Sequence, residues 1–283
     1  MKQNITNRIS SGFTQIDRDY FCCSKGELII LAKQPGMGMF SFAVQLLKNI
    51  SIDQQIPVGI ISTSYTPEYW IKKLMSLESG IPFSQFKNGN FTPYEWKILN
   101  KTITKIQKAP FYIQNTQCLR MEDLITKVTE LKSKHDISLI LIDNLEQIKL
   151  SHPETQLDRE ERINRINRKL RAIALKLNIV VATLYEMPEK PEKKRKNVEV
   201  ARPSVKDLDV CSVIKHANTI CFMYRPEYYG FRTRENGTST ENIAELILTK
   251  VNGETKIIPL NFYPQTGKFR EKTERTHPNN MSF

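Results

Sequence analysis

The sequence has no apolar run near the roughly 20 residues that a membrane helix needs. Its first residues, Met-Lys-Gln-Asn-Ile-Thr-Asn-Arg, lack the apolar core of a signal peptide. Metal ligands are also scarce, because the four histidines are scattered and the five cysteines form no C-x-x-C pair. We therefore expect a cytoplasmic protein with no membrane contact, no Cys/His metal site and reduced thiols, with Cys118, Cys211 and Cys221 buried.

Acidic residues are outnumbered by basic ones. Lys and Arg number 42 against 30 Asp and Glu, which gives a formal net charge of +12 over 283 residues. This balance favours an anionic partner, with nucleic acid first, and the alternative is a soluble basic protein without such a partner. The chain has neither an internal repeat nor a convincing linker, so we expect one α/β domain over residues 1–270 and a flexible tail over 271–283.

Short apolar runs alternate with helical patterns. The predicted strands are Leu28–Ala32, Val58–Ser62, Phe111–Gln114, Leu139–Ile142 and Ile179–Thr183, and the predicted helices lie near Phe40–Ile50, Pro67–Glu78, Pro93–Ile106, Met121–His135 and Arg159–Leu177. This alternation predicts a mostly parallel sheet with helices on both faces. Later strand runs, with Asn252-Gly253 as a hairpin signal between the last two, predict a C-terminal antiparallel extension.

The segment from Glu27 to Leu47 has the layout strand, glycine turn, helix, which is that of a phosphate-binding P-loop. A working P-loop ends in Gly-Lys-Ser/Thr, whose lysine reaches the phosphates and whose hydroxyl holds Mg²⁺. The same three positions hold Gly38, Met39 and Phe40 here. A thioether cannot neutralise a phosphate and a phenyl ring cannot bind Mg²⁺. The pattern therefore predicts a nucleotide-binding fold that has lost its chemistry.

A second landmark is a hydrophobic strand that ends in Asp143, the arrangement of a Walker B carboxylate that supports Mg²⁺. The remaining motifs, in chain order, are Ser11-Gly-Phe-Thr-Gln-Ile-Asp17, Asp143-Asn-Leu-Glu-Gln-Ile148, Arg168-Lys-Leu-Arg-Ala-Ile-Ala-Leu-Lys-Leu-Asn178, Ala201-Arg-Pro-Ser-Val-Lys-Asp-Leu208, Ile214-Lys-His-Ala-Asn218 and Phe222-Met-Tyr-Arg225. Together they resemble the C-terminal RecA-like motor domain of DnaB-type replicative DNA helicases. The resemblance implies a RecA-like P-loop fold, and we expect the family's N-terminal helical domain and linker helix to be absent.

The resemblance also assigns the family's working positions to residues of this chain. The P-loop lysine falls on Met39, the Mg²⁺-binding hydroxyl on Phe40, the catalytic Glu on Ser64, the γ-phosphate-sensing Gln on Tyr185 and the arginine finger on Val251. Because an arginine finger alone contributes about 10³–10⁵ in rate, these replacements together imply that no catalytic residue and no cofactor remain. Asp143 and Lys250 are the polar residues that keep their family positions.

The degenerate nucleotide site has more than one interpretation. Gly36 and Gly38 either bind an anion through backbone N–H groups or only form the turn. Lys33 either supplies a substitute cation or is a surface lysine, and Asp143 is either a residual metal ligand or a strand-end cap. The methionine and phenylalanine would fill the old phosphate pocket, since burying each is favourable by about 1.5–3 kcal/mol. The predicted nucleotide-site residues are Gly36, Gly38, Asp143 and Lys250.

Two basic elements are candidates for DNA contact: the charge run in the loop after the fifth predicted strand, and the arginines that recur every third residue from Arg159 to Arg171. Phosphate contacts by these residues would give DNA binding without sequence preference. The alternatives are a solvated loop and salt bridges to Glu160 and Glu161. The aromatic residues between Tyr228 and Phe231 either stack on bases or pack a loop. The predicted DNA-binding residues are Lys193, Lys194, Arg195, Lys196, Arg165 and Arg168.

Three functions agree with these observations. The first is a DnaB-helicase-like protein of DNA replication or mobile-element biology that does not hydrolyse ATP and binds DNA, a replicative helicase or a second copy of itself. The second is an active ATP-dependent helicase with an unusual P-loop, which would use ATP and Mg²⁺. The third is a structural adaptor that binds neither nucleotide nor DNA. ATP binding separates the second hypothesis from the others, and a salt-dependent DNA titration separates the first from the third.

Overall fold

The computed structural model describes residues 8–18, 23–116, 119–151, 156–187, 202–209 and 212–272. In this part of the chain the strands are β1 (Leu28–Lys33), β2 (Val58–Ser62), β3 (Phe111–Asn115), β4 (Leu119–Arg120), β5 (Leu139–Asp143), β6 (Ile148–Lys149), β7 (Val180–Glu186), β8 (Thr219–Tyr224), β9 (Ile243–Lys250), β10 (Thr255–Tyr263) and β11 (Lys268–Glu271). The α-helices are α1 (Thr14–Arg18), α2 (Met39–Lys48), α3 (Pro67–Ser79), α4 (Gln85–Asn88), α5 (Pro93–Lys108), α6 (Met121–His135), α7 (Arg159–Leu177) and α8 (Ser212–Lys215).

The central sheet is mostly parallel. Its strand order is β11-β10-β9-β8-β1-β7-β5-β2-β3. The strands from β8 to β3 in this order run parallel to their neighbours, whereas β9, β10 and β11 are antiparallel. Short strands β4 and β6 form a separate parallel pair. The observed topology confirms the predicted α/β fold with its C-terminal antiparallel extension.

Buried strands form the centre of the core. Every residue of β2, β5 and β8 is buried, and because successive side chains point to opposite faces, both faces of the sheet are covered. The helices pack in two groups, one with α2, α3 and α5 and the other with α6, α7 and α8. Cys221 in β8 is buried, as predicted, and so is Cys23. The predicted burial of Cys118 and Cys211 concerns residues outside the described part of the chain.

Local sequence signals set most helix ends. The hydroxyl of Thr66 accepts the Tyr69 backbone N–H at the start of α3, and Thr92 and Glu95 form a reciprocal capping box at the start of α5. Helix α2 is different, because its N-cap is Gly38 with φ 90° and no side chain caps it. The first turn of α2 therefore depends on the glycine loop for its position.

The C-terminal hairpin follows the predicted turn. Asn252 and Gly253 lie between β9 and β10, Gly253 has φ 87°, and Thr249 pairs with Thr255 across the hairpin. Strand β11 ends at Glu271, whose carboxylate accepts the Gln15 backbone N–H at 2.6 Å. The first residue of the predicted tail therefore belongs to the sheet, and residues 273–283 lie outside the described residues. No helix in the described ranges is long and apolar enough to cross a membrane.

Candidate functional site

Four parallel strands bring polar residues together at their carboxyl ends. Lys33 ends β1, Ser62 ends β2, Asp143 ends β5 and Glu186 ends β7. The strand register places Lys33 opposite Glu186 and Ser62 opposite Asp143. In open α/β sheets, ligands bind at this edge. The glycine loop between β1 and α2 borders the same edge, so this region is the candidate nucleotide site.

The glycine loop is covered on one side. Arg225 Nη1 donates a hydrogen bond to the Gly36 carbonyl oxygen at 2.9 Å. A Cβ atom on Gly36 would lie 2.3 Å from the Tyr228 ring, so this ring packs directly on the glycine backbone. Gly36 and Gly38 both have positive φ, at 74° and 90°, which explains the choice of glycine in the turn. The loop has the predicted strand–turn–helix form.

The two residues after Gly38 are packed into the protein. Met39 is only 1% exposed and belongs to the hydrophobic core. The Phe40 ring is half-buried and lies 4.5 Å from the Tyr65 ring and 4.8 Å from the Trp70 ring, between centroids. Tyr69 completes this group, with its ring stacked on Tyr65 at 4.7 Å. We call Phe40, Tyr65, Tyr69 and Trp70 the aromatic cluster.

Asp143 is buried beside a crowded hydroxyl group. Its Oδ2 lies 3.1 Å from Ser62 Oγ, and that hydroxyl also lies 2.7 Å from the Tyr65 carbonyl oxygen and accepts from Trp70 Nε1 at 3.0 Å. The serine oxygen also accepts the Tyr65 backbone N–H at 3.2 Å, so the hydroxyl group next to Asp143 is fully engaged. Burial raises the pKa of Asp143 to about 6, although the Ser62 hydrogen bond and the charge of Lys33 oppose the rise.

Lys33 is the last residue of β1 and directly precedes the glycine loop. Its ammonium group pairs with Glu186 at 3.3 Å and lies 5.8 Å from the centre of the Tyr65 ring. Burial lowers the pKa of Lys33, but the neighbouring Tyr65 and Glu186 outweigh this effect and the net pKa is raised. Lys33 is therefore a charged, ion-paired residue of this edge, and its charge is already matched by a carboxylate.

Tyr185 is held in a polar network. Its phenol donates to Asp209 Oδ1 at 2.5 Å, and Arg159 pairs with both Asp209 and Glu146. Burial and the bond to Asp209 raise the pKa of the Tyr185 phenol. Burial raises the pKa of Asp209, but hydrogen bonds from Tyr185 and Arg159 outweigh it and the net pKa is lowered. The network joins β7 to the start of α7.

The remaining predicted site residues are Ser64, Val251 and Lys250. Ser64 is exposed directly after β2. Val251 is 60% exposed in the hairpin turn, and its backbone N–H donates to Asn218 O. Lys250 lies 3.9 Å from the carboxylate of Glu254. Within the described residues, no group of three or more His, Cys, Asp or Glu could hold a metal ion.

These side chains differ from the lysine, hydroxyl group and carboxylates with which a working P-loop holds a triphosphate and Mg²⁺. The position after Gly38 offers a buried thioether, the next one offers a ring held in the aromatic cluster, and the glycine loop is covered by Tyr228. Of the two carboxylates at the strand ends, that of Glu186 is paired with Lys33, and that of Asp143 is buried beside Ser62. Mg²⁺ prefers ionised carboxylates, hydroxyl groups and water as ligands.

Most of the arginine row on α7 is bound within the chain. Arg162 donates to the Glu146 carbonyl oxygen at 3.2 Å, Arg165 pairs with Glu161 at 2.9 Å, and Arg171 donates to the Gly26 carbonyl oxygen. Arg168 is exposed. Arg165 thus makes one of the internal salt bridges of the alternative interpretation, and its contact with phosphate stays a prediction. The candidates Lys193, Lys194, Arg195 and Lys196 lie outside the described residues.

Sequence inspection missed the partners that occupy the site. Tyr65 and Trp70 hold the N′ and N4 positions around the Thr66 cap of α3, and this hydrophobic-staple spacing could have indicated the aromatic cluster. Arg225 and Asp209 reach the site from segments more than 20 residues away in sequence from Tyr185 and the loop. No local pattern indicates such contacts.

The sheet order, together with a glycine loop between β1 and α2, defines a RecA-like domain of the P-loop class. Residues 8–271 match the family model of the DnaB-like helicase C-terminal domain, and the chain belongs to this family. This result confirms the resemblance seen in the sequence.

Proteins with similar sequences support the family assignment. The chain is 28% identical to the replicative DNA helicase DnaB of Geobacillus stearothermophilus, over 92% of this chain and 56% of the relative. It is 30% identical to a probable replicative DNA helicase of Trieres chinensis, over the same shares of both chains. The chain thus spans little more than half the length of the curated relatives that it matches.

Comparison with solved structures also supports the family assignment. A structure of a DnaB-like replicative helicase and its interactions with primase superposes with a TM-score of 0.80 at 25% identity, over 95% of this chain and 64% of that one. A separately solved ATPase domain gives a TM-score of 0.81 at 25% identity, over 95% of this chain and 94% of that one. The similarity to the helicases concerns their C-terminal, RecA-like part.

Proposed function

We propose that this chain serves DNA replication, of a chromosome or a mobile element, as a DnaB-like domain that does not hydrolyse ATP and that binds DNA or helicase subunits. The packing of Phe40 carries this proposal. The family resemblance assigns the Mg²⁺-binding hydroxyl to this position, and the ring lies within the aromatic cluster. A cation and a polar ligand are thus replaced by a buried thioether and a half-buried aromatic ring.

The other replacements act in the same direction. Exposed Ser64 has no carboxylate for a catalytic base, and exposed Val251 has no charge for an arginine finger. Tyr185 is committed to Asp209. Since a finger alone contributes about 10³–10⁵ in rate, the combined losses leave no useful turnover.

A nucleic-acid partner is supported by charge and by the family. The net charge is +12, Arg168 is exposed on α7, and the relatives are named as replicative DNA helicases. One related helicase was solved together with its interactions with primase, so a replication protein is a second class of partner for this chain. Binding of DNA through lysine and arginine would be electrostatic and independent of sequence.

One observation favours an adaptor without DNA binding. Arg159, Arg162, Arg165 and Arg171 are all engaged by groups of the same chain. If these contacts persist in solution, α7 offers little free charge to phosphates. A salt titration of single-stranded DNA binding separates the two functions. For each phosphate neutralised on a single strand, log affinity falls by about 0.7 per tenfold increase in salt concentration.

The test of the proposed function is steady-state phosphate release with ATP and Mg²⁺, with and without single-stranded DNA. The wild type and Asp143→Asn are compared. We expect no turnover above the blank for the wild type. Turnover of about one per second that Asp143→Asn abolishes would contradict the proposal and favour an active helicase.

A further inference from the structure

One face of α5 carries a tyrosine followed by a row of lysines. Residues of an α-helix are separated by about 100° around its axis. On this basis the following five residues lie within an arc of about 80°, on the side away from buried Leu99: Tyr94, Lys97, Lys101, Lys105 and Lys108. We call these five residues the α5 lysine face.

The positive charge of this face is largely unmatched. Lys97, Lys101 and Lys108 are exposed, and the described part of the chain contains no ion pair or hydrogen bond from their ammonium groups. Lys105 is paired with Glu78 at 2.5 Å. The one acidic residue of α5, Glu95, is engaged in the capping box with Thr92. At Lys97, Lys101 and Lys108 this helix therefore presents cations without a paired anion.

An aromatic ring stands at the first turn of the same face. Tyr94 is 73% exposed. This is the highest value among the exposed large hydrophobic residues in the described part of the chain. The helix start does not need the ring, because Thr92, Pro93 and Glu95 already provide the cap. Trp96 nearby is 48% exposed and contacts the Phe91 ring edge-on at 5.4 Å. Exposed aromatic rings beside cations are typical of binding surfaces.

We propose that the α5 lysine face binds single-stranded nucleic acid, with phosphates along the lysines and a base stacked on Tyr94. Lys97 and Lys101 are one i, i+4 step apart, about 6 Å along the helix axis, so successive lysines can contact successive phosphates of a flexible strand. Stacking on Tyr94 needs an unpaired base, because the bases of a duplex are already stacked.

The chemistry of the face also sets its selectivity. Lysine ammonium groups act as point charges, so binding should not depend on base sequence. An acidic peptide could match the lysines, but it would leave the ring of Tyr94 without a flat partner. The inference goes beyond the proposed function, because it concerns a different surface from the glycine loop, Arg168 and the 193–196 run.

The experiment measures fluorescence anisotropy of a labelled oligothymidylate of about 20 nucleotides over a range of salt concentrations. The test variants of the full chain are Tyr94→Ala and a triple change of Lys97, Lys101 and Lys108 to Ala. A matched triple control changes Lys134, Lys149 and Lys176, exposed lysines on other elements, to Ala. Alanine favours helix at least as well as lysine, so the α5 helix should remain intact.

We expect the triple α5 variant to lose about two units from the slope of log affinity against log salt, since each single-strand phosphate contributes about 0.7. Tyr94→Ala should weaken binding about five-fold or more at an unchanged slope. The control triple should keep most of the wild-type slope. Equal affinity and slope for the α5 triple and the control triple would overturn the inference, as would competition by polyglutamate as strong as that by unlabelled oligothymidylate.

The outcomes separate this inference from the proposed function. If a variant with Lys193, Lys194, Arg195 and Lys196 changed to Ala loses binding while the α5 triple keeps it, the inference is overturned and DNA binding as part of the proposed function stands. If the wild type hydrolyses ATP while both α5 variants lose binding, the proposed function fails and the inference stands. A folding defect in one α5 variant leaves the other to decide, because the two alter different groups.

Discussion

The ring of Phe40 packs 4.5 Å, centroid to centroid, from the ring of Tyr65. This contact joins the first turn of α2 to the segment that follows β2, and Trp70 of α3 lies on the same ring at 4.8 Å. A P-loop protein uses polar groups at this junction to hold phosphate and Mg²⁺. Here aromatic rings meet at this junction, and their packing should stabilise the loop.

Removing the Phe40 ring should destabilise the protein. We expect Phe40→Ala to lower the free energy of unfolding by about 2–3 kcal/mol, somewhat less than for a fully buried phenylalanine. Urea denaturation of the two proteins measures the difference. Tyr94→Ala is the matched control, because that ring is exposed, and it should change stability by about 0.5 kcal/mol or less. Equal effects of the two substitutions would show that Phe40 is not packed as described.

A lysine at position 39 should destabilise the protein, whereas an open phosphate site would accept it. Met39 is 1% exposed, and an unpaired buried ammonium group is costly, so Met39→Lys should lower the free energy of unfolding by about 3 kcal/mol or more. Met39→Leu keeps the volume and should cost less than about 1.5 kcal/mol. Thermal and urea unfolding give both values. Comparable stability of the two variants would mean that the position opens to solvent.

Asp143 should make stability fall as the pH rises. Its pKa is about 6 in the folded protein and about 3.9 when unfolded, so the folded state binds the proton more tightly. The free energy of unfolding should therefore decrease between these two pH values, by about 3 kcal/mol at most.

Asp143→Asn should remove this decrease and be more stable than the wild type at pH 7. Urea unfolding at several pH values from about 4 to 7 tests the difference between the two curves. Asp123→Asn on the exposed side of α6 is the control and should follow the wild-type curve. A wild-type curve that rises between pH 4 and 6 relative to Asp143→Asn would mean that the carboxylate is stabilised as an anion there.

The hydrogen bond between Tyr185 and Asp209 should contribute to stability. Tyr185→Phe removes the donor, and we expect a loss of about 1–2 kcal/mol at pH 7, since Asp209 keeps its pairing with Arg159. Because the pKa of Asp209 is lowered in the fold, the loss should shrink as the pH falls and that carboxylate becomes protonated. Tyr263→Phe, at a tyrosine that is 44% exposed, should have no comparable effect. A pH-independent loss would show that packing, not the bond to the carboxylate, holds Tyr185.

Much of the fold could be predicted because it rests on local patterns. The apolar runs before Lys33 and Asp143 are short and continuous, as doubly covered strands are, and Asn252-Gly253 marks a hairpin by its backbone preference. The glycine loop could be located for the same reason. Strand β11 was missed because Lys268–Glu271 alternates only weakly, and it is held by pairing with β10.

The site could be predicted only in part because its contacts join distant segments. The replacement of a charge and a hydroxyl group by Met39 and Phe40 is visible in the sequence, but the rings that receive Phe40 are not. Similarly, the even spacing of the α7 arginines indicates a basic row, whereas the structure shows that Arg159 is paired with Asp209, which lies 50 residues further along the chain. Periodicity gives the face of a helix, and only tertiary contacts give the partners of its charges.

The most direct test of a site closed to nucleotide is isothermal titration calorimetry of the wild type with ATP and Mg²⁺. We expect no saturable heat at nucleotide concentrations up to about the millimolar KM range of working enzymes, because the aromatic cluster, Met39 and Tyr228 occupy the loop. A saturable isotherm of one nucleotide per chain that Asp143→Asn weakens would contradict this account.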